Sequence, residues 1–294
     1  MRQTACPHTL KTIVITMKCL AAGVLVGLPV VFASDKDSYH LFKPVPLEQM
    51  REMATDRPDK TESPFTVDAG HFQIEADILN YSYTRRDPAD QRVENLGIAP
   101  INLKAGLCNH ADLQLVLQPY NSVRTVDIPS GMVTKQRGFG DVIARLKWNF
   151  WGNDGGTTAL AAMPFVKLPT NQDQLGNNSV EGGIIFPLAV ELPGGWGMGV
   201  MTELDAIRDG AGGDHHAEFI NTITFSHDIW GKLAGFAEFF SNASLERGSD
   251  WIGTVDVGFT YALTRDIQLD AGINFGVTSA ADDFNPFIGI SFRF

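Results

Sequence analysis

Charged side chains recur two residues apart along the chain, as Glu75 and Asp77, Arg145 and Lys147, and Glu203 and Asp205. On an extended strand that spacing puts both members of a pair on one face. Lys167, Glu181, Glu238, Asp256, Asp270 and Arg293 continue the pattern singly, with Lys104, Asp112, Asp141 and Glu191 beside them. Such a charged face could be a ladder of internal ion pairs that rigidifies a narrow pore, or a polar path that a solute crosses, and both readings stay open. Catalysis is not expected. Ser226 and His227 are adjacent and so diverge on a strand, no G-x-S-x-G elbow occurs, and no carboxylate dyad stands out. His215-His216 beside Asp214 and Glu218 invites a metal reading, but neighbouring strand residues cannot turn both imidazoles to one ion, so no metal and no cofactor is expected. Gly195-Trp196-Gly197-Met198-Gly199 has a nucleotide-binding look only in its spacing, and its expected role is to leave one wall bare.

The elements that would position these residues are short strands. From Gly70 onward, alternating segments are separated by turn-forming residues, and helical periodicity is absent. Ile267, Leu269, Ala271, Ile273, Phe275 and Val277 share one face, opposite Gln268, Asp270, Gly272, Asn274, Gly276 and Thr278. Twelve strands are predicted, over 69–85, 95–107, 111–125, 138–151, 157–169, 180–192, 196–208, 215–228, 232–245, 251–263, 266–277 and 285–294. Tight connections alternate with longer ones at 86–94, 126–137, 170–179, 209–214, 246–250 and 278–284. The expected fold is therefore all-β: a transmembrane antiparallel up-and-down barrel with short periplasmic turns, longer outer loops and both termini in the periplasm. Strand 232–245 alternates poorly, because Phe236, Phe239 and Phe240 fall on both faces. Aromatic residues near strand ends, Trp148, Trp151, Trp196, Trp230 and Trp251 among them, suit interfacial girdles. A basic side chain on the lipid face would cost roughly 2–4 kcal/mol at midplane, so the charged face is expected to line the lumen.

Residues 1–33 carry Arg2, Lys11 and Lys18, then an apolar stretch too short to span a bilayer as a helix, then Ala33, and so read as a signal peptide, with Met1 or Met17 as its start. Its removal changes the net charge of −11 to about −14 and leaves Cys108 as the single cysteine, excluding an internal disulfide. An acidic chain without a basic run is a poor partner for nucleic acid. Residues 34–68 are polar and proline-punctuated, and read as a periplasmic lead-in or as a plug in the barrel mouth; 69–294 form the barrel. Phe294 would close the series as a barrel-assembly signal, and the expected partners are membrane lipid, periplasmic chaperones, the barrel-assembly machinery and a small solute.

Thr55-Asp56-Arg57-Pro58-Asp59-Lys60-Thr61-Glu62-Ser63-Pro64-Phe65, the following Gly70-His71-Phe72-Gln73-Ile74-Glu75, Gly138-Phe139-Gly140-Asp141 and the aromatic C-terminus resemble the MetA-pathway phenol-degradation family of outer-membrane transporters. The resemblance implies a channel for small, often aromatic or hydrophobic, molecules. It supplies no binding residues. Lys104 and Cys108-Asn109-His110 depart from it at the first tight turn. A closed barrel that works through its outer loops, 126–137 in particular, is the alternative; an outer-membrane hydrolase is a remote second.

Overall fold

The computed structural model describes residues 36–210 and 213–294; the signal-peptide reading of 1–33 lies outside them. Fifteen strands follow in order: β1 (Phe72–Thr84), β2 (Gln91–Ile98), β3 (Ile101–Cys108), β4 (Ala111–Leu117), β5 (Tyr120–Asp127), β6 (Val133–Gly138), β7 (Val142–Trp151), β8 (Thr158–Leu168), β9 (Glu181–Leu192), β10 (Trp196–Arg208), β11 (His215–Trp230), β12 (Leu233–Ser244), β13 (Ile252–Thr264), β14 (Ile267–Gly276) and β15 (Phe284–Arg293). Three consecutive pairs, β2/β3, β4/β5 and β6/β7, lie end to end, so the fifteen make twelve staves. The first two breaks fall at Ala99-Pro100 and Gln118-Pro119, where proline has no N–H to give the ladder. β1 answers the first break by pairing with β3 along its lower half and β2 along its upper half. The sheet closes where β15 meets β1, Gln73 opposite Arg293.

Two predicted boundaries move. The second stave begins at Gln91 rather than 95, and the fourth at Val133 rather than 138. The stretch read as a long outer loop, 126–137, is therefore mostly the β5–β6 hairpin, with Val126 opposite Val133 and Asn121 opposite Gly138. The turn is made locally. Asp127 accepts the Ser130 N–H at 2.8 Å, and Gly131 takes a φ of 71° that side-chain-bearing residues avoid. A charged run such as Thr134-Lys135-Gln136-Arg137 has loop composition, but backbone pairing is indifferent to it.

The barrel is polar inside and apolar outside. Lys147, Asp112, Asp256 and Glu75 are buried, whereas Trp148, Phe150, Phe259 and Ile288 are about half exposed. That inversion is the arrangement a lipid solvent selects, in a sheet that closes on itself through the pairing of β15 with β1. No helix of the described residues is long and apolar enough to cross a membrane. The irregular β12 is explained by its interior. Phe236 lies over Gly258 and Phe240 under Lys60, both inward, while Phe239 faces out.

Candidate functional site: a segment docked on inward-facing charges

Many of the charges along the wall have their partners in the N-terminal segment, which runs through the barrel interior in polar contact with β1, β3, β4, β7 and β11 to β14. Arg57 reaches Asp77 on β1 and Asp270 on β14, each at 2.6 Å. Its guanidinium passes where a side chain at Gly289 would stand and lies 5.8 Å from the Phe287 ring centroid. Next along the chain, the Lys60 ammonium meets Asp256 at 3.0 Å, and the backbone N–H groups of Lys60 and Thr61 donate to the two oxygens of Glu238 at 2.8 Å. Thr61 and Thr222 hydroxyls lie 2.6 Å apart. Glu62 takes the Arg145 guanidinium at 2.6 Å.

Asp56 is the hub on the opposite side. Its carboxylate binds Lys147 at 2.6 Å and pairs with Lys104, which also holds Glu75; Glu75 in turn accepts the Asp56 N–H. Burial alone would raise the Asp56 carboxyl, but the two ammonium groups outweigh it and hold Asp56 below the usual carboxylate range. Asp59 has no such neighbour. Burial pushes it up to about 6, with Glu62 and Asp56 adding to the shift and the nearby Thr224 hydroxyl opposing it. Glu62 is also raised, chiefly by burial and against the pull of Arg145. The lower end of the segment is anchored by Asp112, which accepts the Val67 N–H at 3.0 Å, and by Asn149, which donates to the Pro64 carbonyl at 3.0 Å.

The wall residues picked out by spacing thus divide. Glu75, Asp77, Arg145, Lys147, Glu238, Asp256 and Asp270 are brought together by the segment. Lys167 and Glu181 form an ion pair with each other across β8 and β9, Glu181 also accepting from Asn177 and the Arg208 N–H, and Glu203 and Asp205 are neighbours on β10 with no ion pair to the segment among the described residues. Arg293 donates to Asp266 at 2.7 Å and to the Arg51 carbonyl at 2.9 Å, tying the last strand to the segment. Phe294 exchanges backbone hydrogen bonds with Phe72 across the seam, their rings 5.9 Å apart. The residues that spacing missed are Asp56, Arg57, Lys60, Thr61 and Glu62. They read as linker charges, and the signal that betrays them is their alternating sign beside an unbalanced set of inward carboxylates.

Two other expectations changed with the geometry. His215 and His216 do diverge, yet His216 is joined by Asp209 at 2.9 Å, and Glu246 comes from a separate turn so that one ligand atom from each of the three lies within 4.8 Å of the others. His216 stands at the start of β11, Asp209 in the turn before it and Glu246 beyond β12, and of the three only His216 was singled out from spacing. Ser226 and His227 stay apart, His227 facing the Trp196 ring at 4.6 Å and the Gly194 carbonyl. Gly199 leaves room for Thr61, whose methyl would lie 3.0 Å from a Cβ there.

Between the segment and the wall of β8 to β11 lies a cavity of about 290 Å³, lined by Phe65 and by Ala159, Ala189, Gly197, Gly199 and Thr224. A smaller one, about 160 Å³, sits on the charged side beside Arg57, Glu62 and Arg145.

The family described as "Putative MetA-pathway of phenol degradation" matches residues 55–294. The chain belongs to that family. The match begins at Thr55, so the docked stretch from Asp56 onward falls inside it. Among solved structures, an outer membrane channel from Pseudomonas putida F1 is 13% identical, with 82% of this chain covering all of that one at a TM-score of 0.60. The likeness establishes a shared fold. The transport unit of the AIDA-I autotransporter from Escherichia coli (10% identity, 82% and 93% coverage, TM-score 0.48) and the CymD monoaromatic hydrocarbon channel (10%, 76% and 87%, 0.41) are similar at a level that supports no further argument. No curated protein matches the sequence.

Proposed function

We propose that the protein is an outer-membrane channel for small, apolar or aromatic solutes, held closed by residues 51–68 and opened when that segment leaves its ion pairs. The observation that carries the reading is the mismatch between the two sides of the segment. Toward β1 and β14 it is bound by charge; toward β8 to β11 it leaves a cavity of about 290 Å³ whose wall mixes small residues (Ala159, Ala189, Gly197, Gly199) with Leu188, Val190 and the hydroxyl of Thr224. A wall rich in small residues opposite a detachable polar strand is suited to passage, because removing the strand leaves a continuous lumen rather than a packed core. Membership of a phenol-degradation family agrees with an aromatic solute, as do the apolar Phe65, Leu188, Val190 and Met198 among the cavity's lining, which polar Asp59, Glu62 and Thr224 share. Residues 1–33 supply the export signal, cleaved near Ala33, in the same reading.

Planar-bilayer conductance of the purified protein, with and without residues 36–68, tests it. The expected result is rare, small openings for the whole chain and a steady conductance after removal, with phenol-sized solutes crossing liposomes carrying the shortened form. No conductance and no flux in either form would overturn it.

A further inference from the structure

The outward face of β1, β2, β5 and β6 departs from the rest of the barrel surface. A one-residue bulge between Asp77 and Leu79 resets the alternation, so that Asn80 joins Asn285 inside and Tyr81 and Tyr83 turn out beside Phe284. Pairing carries that outward face sideways in rows. Leu79, Ile98 and Tyr120 form the first; Tyr81, Leu96, Ser122 and Arg137 the second; Tyr83, Glu94, Arg124 and Lys135 the third; and Arg92, Val126 and Val133 the fourth. Moving toward the extracellular tip, the wall thus changes from apolar, through tyrosine, to charged in the third row, with Val126 and Val133 beside Arg92 beyond it. The second and third rows border a concavity of about 710 Å³ that carries Tyr81, Leu96 and Tyr120 and three cations, Arg124, Lys135 and Arg137, against two carboxylates, Glu94 and Asp173, the latter accepting the Arg137 backbone N–H. Arg124 is paired with Glu94 at 2.9 Å, but the side chains of Lys135 and Arg137 reach no carboxylate among the described residues.

Unneutralised cations on the lipid side of a barrel are unfavourable unless they meet anions at the headgroup level. In a chain of net charge −11, their gathering on one outward face directly above an apolar row matches a ligand with acyl chains below and phosphate above. We infer that this concavity binds a phosphorylated glycolipid of the outer leaflet, its phosphates held by Arg124, Lys135 and Arg137 and its sugar against Tyr81 and Tyr120. The site is on the outer surface and is independent of the lumen and of its proposed gating.

The test uses full-length protein in detergent, titrated with bisphosphorylated lipid A and followed by native mass spectrometry. Lys135→Gln with Arg137→Gln removes two exposed charges from the hairpin, and heat-modifiable gel mobility confirms the barrel. Binding is expected to weaken about thirtyfold in the double variant, to weaken comparably for dephosphorylated lipid A with the parent protein, and to be unchanged by Lys232→Gln at the opposite end. Equal binding by parent and double variant, equal binding of the dephosphorylated lipid, or complete competition by millimolar inorganic phosphate alone would each overturn the assignment.

Discussion

Replacing Arg57 with glutamine is the sharpest probe of the docked segment. The guanidinium is the single cation between Asp77 and Asp270, both buried and both within 2.6 Å of it. Glutamine keeps a hydrogen-bond donor but leaves two carboxylates uncompensated. Breaking a buried pair by removing one partner costs about 3–5 kcal/mol, and because Arg57 retains some solvent contact the lower figure applies. About 3 kcal/mol corresponds to a docking equilibrium weakened by roughly a hundredfold. Two readouts follow. Trypsin cleavage after Lys60, which under fast opening and closing tracks the undocked population, should accelerate by about that factor. Single-channel recordings should show a matching rise in the conducting fraction. Adding Asp77→Asn and Asp270→Asn to Arg57→Gln removes the orphaned charges and should restore most of the protection, since an ion pair replaced as a unit costs far less than one broken. Unchanged cleavage and conductance in Arg57→Gln, with the barrel intact by gel mobility, would refute the claim that these ion pairs hold the segment.

Docking should also weaken as pH rises. Asp59 is pushed up to about 6 when docked against an ordinary 3.8, so the docked state holds a proton between those values and loses its advantage as pH climbs from 4 through 6; Glu62, also raised, acts in the same sense, while Asp56, held low, stays ionised. Conductance recorded at pH 5 and pH 7 should therefore be larger at pH 7, and Asp59→Asn should flatten the difference; a larger conductance at pH 5 would count against it. Thr61→Cys with Thr222→Cys, made with Cys108→Ser, places two thiols where the hydroxyls are 2.6 Å apart. Oxidation should abolish openings and a reductant restore them, and persistent openings in the oxidised form would separate the segment from gating. Gly289→Leu puts a side chain in the space of Arg57 and should release the segment as Arg57→Gln does, visible as the same trypsin sensitivity.

Most of the architecture was legible in the sequence because a membrane barrel imposes period-two alternation on almost every residue of the wall. Trp196 to Arg208 and Ile267 to Gly276 could be placed to within a residue or two from that alone. It failed where something other than lipid set the composition. Toward their outer ends the second and fourth staves leave the apolar middle of the wall, so much of Gln91–Ile98 and Val133–Gly138 is charged or polar and resembles a loop. On β12 the inward side is occupied by phenylalanine because Lys60 and Gly258 stand opposite it. The inward charges on the wall were visible, but half of each pairing was not. Asp56 is 91 residues from Lys147, and Arg57 is 213 from Asp270, so no local pattern connects them.

That separation bears on how the segment works. An apolar strand docked in the lumen would be held by the same hydrophobic effect as a core and would leave a greasy, collapsible interior when withdrawn. A charged strand is held by contacts whose partners are soluble on both sides: once Arg57 and Lys60 depart, Asp77, Asp270 and Asp256 can hydrate, as can the departing cations. The cost of undocking is then the difference between buried ion pairs and hydrated ions, two large quantities that nearly cancel. Buried charge therefore gives the closed state definition of register, each segment charge matched to particular wall groups, without making it permanent. The wall of β8 and β9 adds no ion pair to the segment among the described residues, which places the control of opening on the ion pairs to β1, β3, β7, β13 and β14.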